Sequence, residues 1–181
     1  MAHFSHLLIQ GAVEGSSDWV REHARHVRAG GRVLDLACGN GRNARWLAAQ
    51  GWQVEAVDRD ALALQGLQGV AGITTRLADL ENGDWPYASE SFDGIVVCRY
   101  LYRPLLPRLA ESLAPGGVLI YETFMQGHEQ FGRPSNPDFL LQPAELQEAY
   151  QSLLEIVAFE QGRFDTPRPG MVQRICAKRC A

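Results

Sequence analysis

The sequence predicts an α/β fold in which helices cover both faces of a parallel β-sheet. Apolar runs of four to seven residues, typical of buried strands, alternate with helix-like segments of eight to twelve residues. Adjacent parallel strands must be connected by segments that cross over the sheet, usually helices, and these crossover connections are right-handed. The composition agrees, because 46% hydrophobic and 21% charged residues are typical of a globular chain, and 181 residues suffice for one domain with a buried core.

The first half of the chain alternates helix and strand signals. Ser16 or Ser17 can cap a first helix that extends to about residue 28, and the glycine pair at 30–31 ends it. A glycine-rich loop then follows the first strand and opens the second helix. The elements predicted in this half are strand 33–36, helix 43–50, strand 54–57, helix 60–67, strand 73–77 and strand 92–98.

The second half begins regularly and then changes character. Helix 103–113 leads through a Pro-Gly-Gly turn into strand 118–124. Residues 125–143 contain three prolines and two glycines, which predicts a long loop, and long loops in compact domains are commonly functional. The elements predicted after this loop are helix 144–152, strand 154–161 and strand 171–178.

Charge and lysine content exclude several classes of function. The chain has 17 basic and 21 acidic residues, a net charge of −4 at pH 7. This disfavours nonspecific binding to nucleic acid, because that affinity comes from neutralising many phosphates. The only lysine is Lys178, so the sequence has no Gly-Lys-Ser/Thr phosphate-binding loop.

The sequence shows no sign of a membrane or metal protein. No apolar run approaches the roughly 18 residues of a membrane span. No Lys or Arg precedes Arg21, so the cationic start of a signal peptide is missing. The four cysteines form no CxxC pair, and we therefore expect free thiols, no metal site and a reducing, cytoplasmic location.

The strongest functional signal is the segment 33–43, Val-Leu-Asp-Leu-Ala-Cys-Gly-Asn-Gly-Arg-Asn. A strand that feeds a glycine loop and then a helix makes a nucleotide-type site, because the loop amides and the helix N-terminus face the ligand. Asp58 stands at the end of the next strand, 23 residues after Asp35. A carboxylate at that position can accept hydrogen bonds from both hydroxyls of a ribose.

The charges around this loop distinguish two kinds of nucleotide ligand. A dinucleotide requires a third glycine and a loop without negative charge, but Asn43 and Ala44 stand near the third glycine position. Asp35 at the loop entrance would repel pyrophosphate and attract an ammonium group. Asp79 ends the third strand and can accept from an adenine amino group, with Leu80 packing on the ring. The pattern favours S-adenosylmethionine, although Asp35 could instead buttress the glycine turn and Asp79 could be an ordinary turn acid.

Together these residues resemble a class I S-adenosylmethionine-dependent methyltransferase of the small, stand-alone bacterial type associated with tellurite resistance and quinone methylation. The matching segments, between about residues 19 and 124, are 33–41, 54–58, 76–79, 91–93 and 113–118. The sequence departs from the family at Ala37, where many members carry the first glycine of the loop. Alanine is tolerated there if its φ is negative.

The resemblance implies a single methyltransferase domain over residues 1–181, with an N-terminal helix region at 1–30 and an acceptor-side loop at 125–143. It implies a doubly wound, Rossmann-like sheet of seven strands, mostly parallel, whose antiparallel last strand lies between the fifth and sixth. The implied cofactor is S-adenosyl-L-methionine and the product S-adenosyl-L-homocysteine. The expected cofactor-binding residues are Asp35, Ala37, Cys38, Gly39, Asn40, Gly41, Asn43, Asp58, Arg59, Asp79, Leu80 and Cys98.

The residues after the fourth strand are expected to border the reacting methyl group. Arg99 and Tyr100, with the rest of segment 99–103 and the loop 127–133, would line the acceptor side. His128 is a candidate base or hydrogen-bonding group for the acceptor, the alternative being a histidine in a solvated loop. The fourth strand does not end in the Asn/Asp-Pro-Pro-Tyr/Phe pattern of DNA amino-methylating enzymes. We therefore expect a small, uncharged or anionic acceptor.

Two other functions are compatible with the same residues. A protein of this fold could bind the cofactor without catalysis and act through partners. An NAD-type oxidoreductase could use a glycine loop followed by an acidic strand end in a similar way. Production of S-adenosylhomocysteine separates the first alternative from the enzyme, and a fluorescence titration with NADH tests the second.

Overall fold

A seven-stranded sheet forms the centre of the computed structural model, which describes residues 15–180. Residues 1–14 of the predicted N-terminal helix region lie outside the described residues. The strands are β1 (Arg32–Leu36), β2 (Gln53–Asp58), β3 (Ile73–Leu77), β4 (Phe92–Cys98), β5 (Leu113–Phe124), β6 (Glu155–Phe164) and β7 (Gly170–Lys178). The α-helices are α1 (Asp18–His23), α2 (Arg42–Ala49), α3 (Ala61–Gln65), α4 (Leu106–Ser112) and α5 (Glu145–Tyr150).

The strand order is β3-β2-β1-β4-β5-β7-β6, and β1 to β5 are parallel. β7 is antiparallel to both β5 and β6, which confirms the expected insertion of the last strand. The chain winds outward from β1 to β3 in one direction and from β4 onward in the other. In open α/β sheets, ligands bind at the carboxyl ends of the strands beside this change of direction.

Alternate residues of the central strands enter two separate cores, as the doubly wound prediction requires. Leu34 and Leu36 pack in the core beneath α4 and α5. Val33, the residue before Leu34, packs in the opposite core with Trp19 of α1 and Leu47 of α2. Both faces of the sheet are therefore buried, which is typical of parallel sheets.

Most predicted elements are present, and the differences have local causes. The predicted strands 73–77 and 92–98 have the same bounds in the structure. The first helix is shorter than predicted. α1 ends at His23 and is followed by a 3₁₀ turn at Ala24–His26. β5 begins earlier than predicted, because Leu113 pairs with Phe92 ahead of the Pro-Gly-Gly turn.

The segment 125–143 is a loop, as predicted, and Arg103 anchors its C-terminal part. The Arg103 guanidinium donates to the Leu140 carbonyl at 2.9 Å and pairs with Glu145 at the start of α5, with 2.6 Å between Nε and Oε1. Arg103 therefore positions the loop, whereas the sequence placed it in the acceptor-lining segment 99–103.

A buried carboxylate ties together the three strands that carry the candidate site. Glu55 of β2 is 6% exposed and pairs with Arg32 of β1 and with Arg76 of β3, whose Nε lies 2.6 Å from Oε1. Burial alone would raise the pKa of Glu55. The hydrogen bonds from Arg76 and Arg32 outweigh burial and lower the pKa below its ordinary value of 4.5.

Replacing Glu55 with glutamine should destabilise the protein in a pH-dependent way. Because the folded-state pKa is depressed, the stabilisation is complete above pH 4.5 and is lost as the pH falls through the folded-state pKa. We expect Glu55→Gln to lower the free energy of unfolding by about 2 kcal/mol at pH 7. Urea unfolding from pH 7 to pH 3 measures this difference, and a difference that does not shrink toward pH 3 would contradict the assignment.

Candidate functional site

The loop after β1 has an alternating left-handed backbone. Ala37, Gly39 and Gly41 have φ values of 53°, 53° and 71°. Ala37 therefore does not meet the condition of a negative φ under which alanine is readily tolerated, and it adopts the conformation that favours glycine. An added Cβ at Gly41 would clash with the Leu67 side chain, so close packing also requires glycine there.

Two buried polar side chains support this loop from below. Asp35 is 2% exposed and accepts a hydrogen bond from the Ala44 amide at 2.9 Å. Burial raises the pKa of Asp35 to about 7. Asn43 is also buried and accepts a hydrogen bond from the Ser17 amide at 2.9 Å, which joins the start of α1 to the first turn of α2. Asp35 thus holds the first turn of α2, the helix that follows the glycine loop.

Asp58 at the end of β2 is held by two backbone amides. The Gly39 amide donates to Oδ2 at 2.8 Å, and the Asp60 amide donates to Oδ1 at 2.9 Å. The carboxylate is half-buried and lines a cavity at the strand ends. Its orientation is therefore fixed while each oxygen keeps a lone pair for a ligand.

Asp79 follows β3 and caps its own turn. Oδ1 accepts from the Glu81 and Asn82 amides, and Oδ2 accepts from the Asn82 side chain at 3.0 Å. The hydrogen bond from the Asn82 side chain, with those from the two amides, lowers the pKa of Asp79. The turn-acid interpretation is therefore correct for its local contacts, although Asp79 also lines the same cavity as Asp58.

Arg99 follows β4 and lies where three cavities meet. Its φ is 57°, an uncommon value for a residue other than glycine, and its amide donates to the Glu122 carbonyl at 3.0 Å. We name the cavities by their lining. Asp58 and Asp79 line the aspartate cavity, of about 380 Å³, and Gly39 lines the glycine-loop cavity, of about 900 Å³.

The third cavity, the arginine cavity, measures about 800 Å³. It lies beside the loop 127–133 and is lined by four arginines, Arg99, Arg133, Arg168 and Arg174. Arg99 lines all three cavities, and Arg168 lines both the glycine-loop cavity and the arginine cavity.

The structure groups most of the residues selected from the sequence. The aspartate cavity also contains Ala37, Arg59, Leu80 and Tyr100. The glycine-loop cavity contains Asp35, Ala37, Cys38, Gly39, Asn40, Asn43 and Cys98. Gly41 packs against Leu67 instead of lining either cavity, and Tyr100 lies on the side of the aspartates.

His128 is buried, so the solvated-loop alternative is wrong. Its ring is 4% exposed and stacks on Phe124, with 3.8 Å between ring centroids. Nε2 lies 3.3 Å from the Arg133 carbonyl oxygen. On the Nδ1 side, an added Cβ at Gly170 would approach within 2.8 Å, so the ring fits closely between β5 and the start of β7.

Sequence reasoning missed part of the arginine cavity. The missed lining residues include Glu122, Phe124, Phe164, Arg168 and Arg174. β6 runs parallel to β5, because both are antiparallel to β7, and the loop after β6 therefore reaches the same edge as the glycine loop. The expected antiparallel last strand was the signal that could have located residues 165–169 at the site.

Two negative findings concern residues 15–180. None of their helices has the length and apolar character that a membrane crossing requires. Within the same residues, no group of three or more His, Cys, Asp or Glu side chains is arranged to hold a metal ion.

Comparison with solved structures identifies related folds. TehB from Haemophilus influenzae superposes with a TM-score of 0.74 at 20% identity, covering 88% of this chain; the chain spans only 61% of the TehB chain. An S-adenosylmethionine-dependent methyltransferase from Mesorhizobium loti gives 0.71 at 20% identity, with 91% and 99% of the two chains covered. One from Methanosarcina mazei gives 0.70 at 16% identity, with 92% and 99% covered.

The sequence comparisons give a domain assignment. No curated protein matches the sequence significantly. Residues 33–117 match a family described as methyltransferase domain. The match runs from the start of the glycine-loop motif to the glycine turn within β5. Residues 33–117 therefore match a methyltransferase domain, and the described residues share the fold of the S-adenosylmethionine-dependent methyltransferases named above.

Proposed function

We propose that this chain transfers a methyl group from S-adenosylmethionine to a small-molecule acceptor bound in the arginine cavity. The observation that carries the proposal is the meeting of the three cavities at Arg99. Two of them are lined by the glycine loop and the strand-end aspartates, and the third extends beneath the loop 125–143. A donor and an acceptor can therefore reach a common point.

The residues of the glycine loop and of β2 fit this cofactor. An added Cβ at Gly39 would meet no atom within 4 Å, so the loop backbone faces open space that a ligand can approach. The free lone pairs of Asp58 can accept both ribose hydroxyls, since Gly39 and Asp60 hold the carboxylate from behind. Asp58 is thereby assigned to the ribose.

The aspartate cavity suits the base of the nucleoside. Leu80 is 8% exposed and offers an apolar surface to a ring, with Tyr100 and Arg59 on the same lining. Asp79 has an oxygen that the Asn82 side chain does not saturate and can accept from an exocyclic amine. We assign Asp79, Leu80, Arg59 and Tyr100 to this side of the site.

The glycine-loop cavity suits the amino-acid part. When bound, S-adenosylmethionine supplies a methyl group on a sulfonium for an in-line displacement. Asp35, Ala37, Cys38, Asn40 and Cys98 line this cavity together with four arginines, Arg42, Arg45, Arg99 and Arg168. Asp35 is the one carboxylate among these lining residues, and its ionised form would attract an ammonium group. Asn43 joins the first turn of α2 to the start of α1. These residues act by orientation and by excluding water, which are the main devices available for such a transfer.

The arginine cavity suits a small acceptor. Its volume of about 800 Å³ lies within the roughly 300–1,000 Å³ that is typical of small-molecule sites. Arg99 borders the junction through which the acceptor must meet the donor. We also propose a reducing cytoplasmic location, because all four cysteines carry free thiols.

Replacing Asp58 with alanine should weaken binding of S-adenosylmethionine by about tenfold or more, because each charge-assisted hydrogen bond contributes roughly 1.5–3 kcal/mol. Isothermal titration calorimetry measures the affinity. The matched control is Asp84→Ala, which removes an exposed acid that lies on none of the three cavities and should leave the affinity unchanged. Unchanged affinity in a folded Asp58→Ala protein would remove Asp58 from the binding site.

Turnover itself is tested by measuring S-adenosylhomocysteine over a panel of small oxygen, sulfur and nitrogen nucleophiles. We expect production that depends on the acceptor and is lost in Asp58→Ala at cofactor concentrations that saturate only the unsubstituted protein. Tight cofactor binding with no product from any member of the panel would favour the non-catalytic alternative.

His128 is best explained as a positioning residue of the arginine cavity. One nitrogen lies at the Arg133 carbonyl and the other lies on the Gly170 side, while the ring face covers Phe124. Both imidazole nitrogens therefore face other protein atoms. The ring therefore fixes the course of the loop 127–133 and forms part of the cavity wall.

The His128→Phe variant should keep kcat within about threefold, because the ring stack survives and no proton transfer is lost. A general base contributes roughly 10²–10⁴-fold, so its removal would be plain in a steady-state assay. His128→Ala should instead lower the free energy of unfolding by about 3 kcal/mol and raise the acceptor KM. A large loss of kcat in a stable His128→Phe protein would show that the imidazole transfers a proton.

A further inference from the structure

The arginine cavity concentrates positive charge in a protein whose sequence carries a net charge of −4. Its lining contains four arginines and a single carboxylate, that of Glu122. A cavity with this excess raises the local concentration of anions and disfavours cations, because the surrounding apolar walls focus the field. The glycine-loop cavity has the same balance of four arginines and one carboxylate, so the arginine cavity is distinguished by the surroundings of its guanidinium groups and by its aromatic rings.

The four guanidinium groups do not all have the same surroundings. Arg174 is paired with Glu160, and its guanidinium carbon lies 4.6 Å from the centroid of Trp19 and 4.1 Å from that of Phe164. The Arg174 guanidinium is thus bound by other protein groups, and its side chain forms part of the cavity wall. Within residues 15–180, no carboxylate lies within ion-pair distance of the Arg133 or Arg168 side chains, and both residues are exposed at the cavity.

Aromatic rings form much of the remaining wall. His128 stacks on Phe124 and, at 6.3 Å between centroids, on Phe131, with interplanar angles of 23° and 29°. Phe164 contributes a further ring on the β6 side. Phe131 is 39% exposed, although it is a large apolar residue beside a cavity. Nearly parallel rings favour a flat apolar ligand that can stack beside them.

We propose that the methyl acceptor is a planar, ring-containing organic anion, with its anionic group bound by Arg133 and Arg168 and its ring system against Phe131 and Phe164. This inference rests on the proposed function, because it names the substrate class of that site. The anionic group lies toward the exposed side of the cavity, where Arg133 is found. The atom that accepts the methyl group then lies toward Arg99, at the junction with the other cavities.

The cavity dimensions favour an organic anion over a simple inorganic oxyanion. A volume of about 800 Å³ greatly exceeds what an ion of a few atoms can fill, given that one water occupies roughly 30 Å³ in the liquid. The ring-lined wall would also contribute nothing to binding such an ion. A guanidinium beside aromatic faces is well suited to carboxylates carried on flat molecules.

Arg133 is the selective probe of this proposal. Arg168 also lines the glycine-loop cavity, so its replacement can affect cofactor and acceptor together. Arg133 lines the arginine cavity and neither of the other two. Arg108 provides the matched control, because it is an exposed arginine paired with Glu111 on α4 and lines none of the three cavities.

The experiment uses the full chain saturated with S-adenosylhomocysteine and measures binding by ligand-observed NMR. The probes are indole-3-acetate, its neutral analogue indole-3-acetamide, and selenite as an inorganic oxyanion. We expect indole-3-acetate to bind about tenfold or more tightly than the amide, because only the carboxylate pairs with the guanidinium groups. Arg133→Gln should reduce this preference to about threefold or less, and Arg108→Gln should preserve it.

Three results would overturn the proposal. The first is equal binding of the two indoles, the second is failure of both to bind, and the third is binding of selenite without binding of indole-3-acetate. Saturation with S-adenosylhomocysteine is verified beforehand by calorimetry. A protein that binds this product but shows one of these three results disproves the acceptor class alone, whereas failure to bind it counts against the proposed function.

Discussion

The hydrogen bond from the Gly39 amide to the Asp58 carboxylate joins the ends of the two strands on which the site depends. It can form only because β1 and β2 are parallel neighbours and because the loop after β1 turns through left-handed residues. The bond orients the Asp58 carboxylate and fixes the loop backbone at the same time. A rigid loop and a fixed acceptor pair together provide the preorganised surface that an extended nucleoside requires.

The three aspartates of the site come from strands β1 to β3, whereas arginines line all three cavities. The parallel strands β1 to β3 bring three aspartates to one part of the carboxyl edge, whereas the loops after β5 and β6 bring arginines to the other. Arg99 follows β4, the strand between these groups. The order of the strands in the sheet thus determines where the acidic side chains of the site lie.

Sequence reasoning succeeded where local patterns determine structure and was weaker where distant segments meet. The strand pattern and the position of Asp58 follow from apolar periodicity and spacing, and both are found in the structure. The φ of Ala37 could not be predicted, because alanine gives no local sign of a left-handed conformation. The burial of His128 and the contribution of Arg168 depend on the pairing of β7 with β5 and β6, which brings residues far apart in the chain together.

Contacts at both ends attach the loop 125–143 to the rest of the fold. Met125 and Leu141 form a parallel bridge at its base, and Arg103 binds its last turn to α5. These contacts hold the ends of the loop, and the arginine cavity is already formed in this structure. The exposed middle of the loop, around Phe131, is the remaining route by which a ligand can enter. Under the proposed function, such a cavity would select its acceptor by shape and charge, because a preformed site lowers the ordering cost of binding.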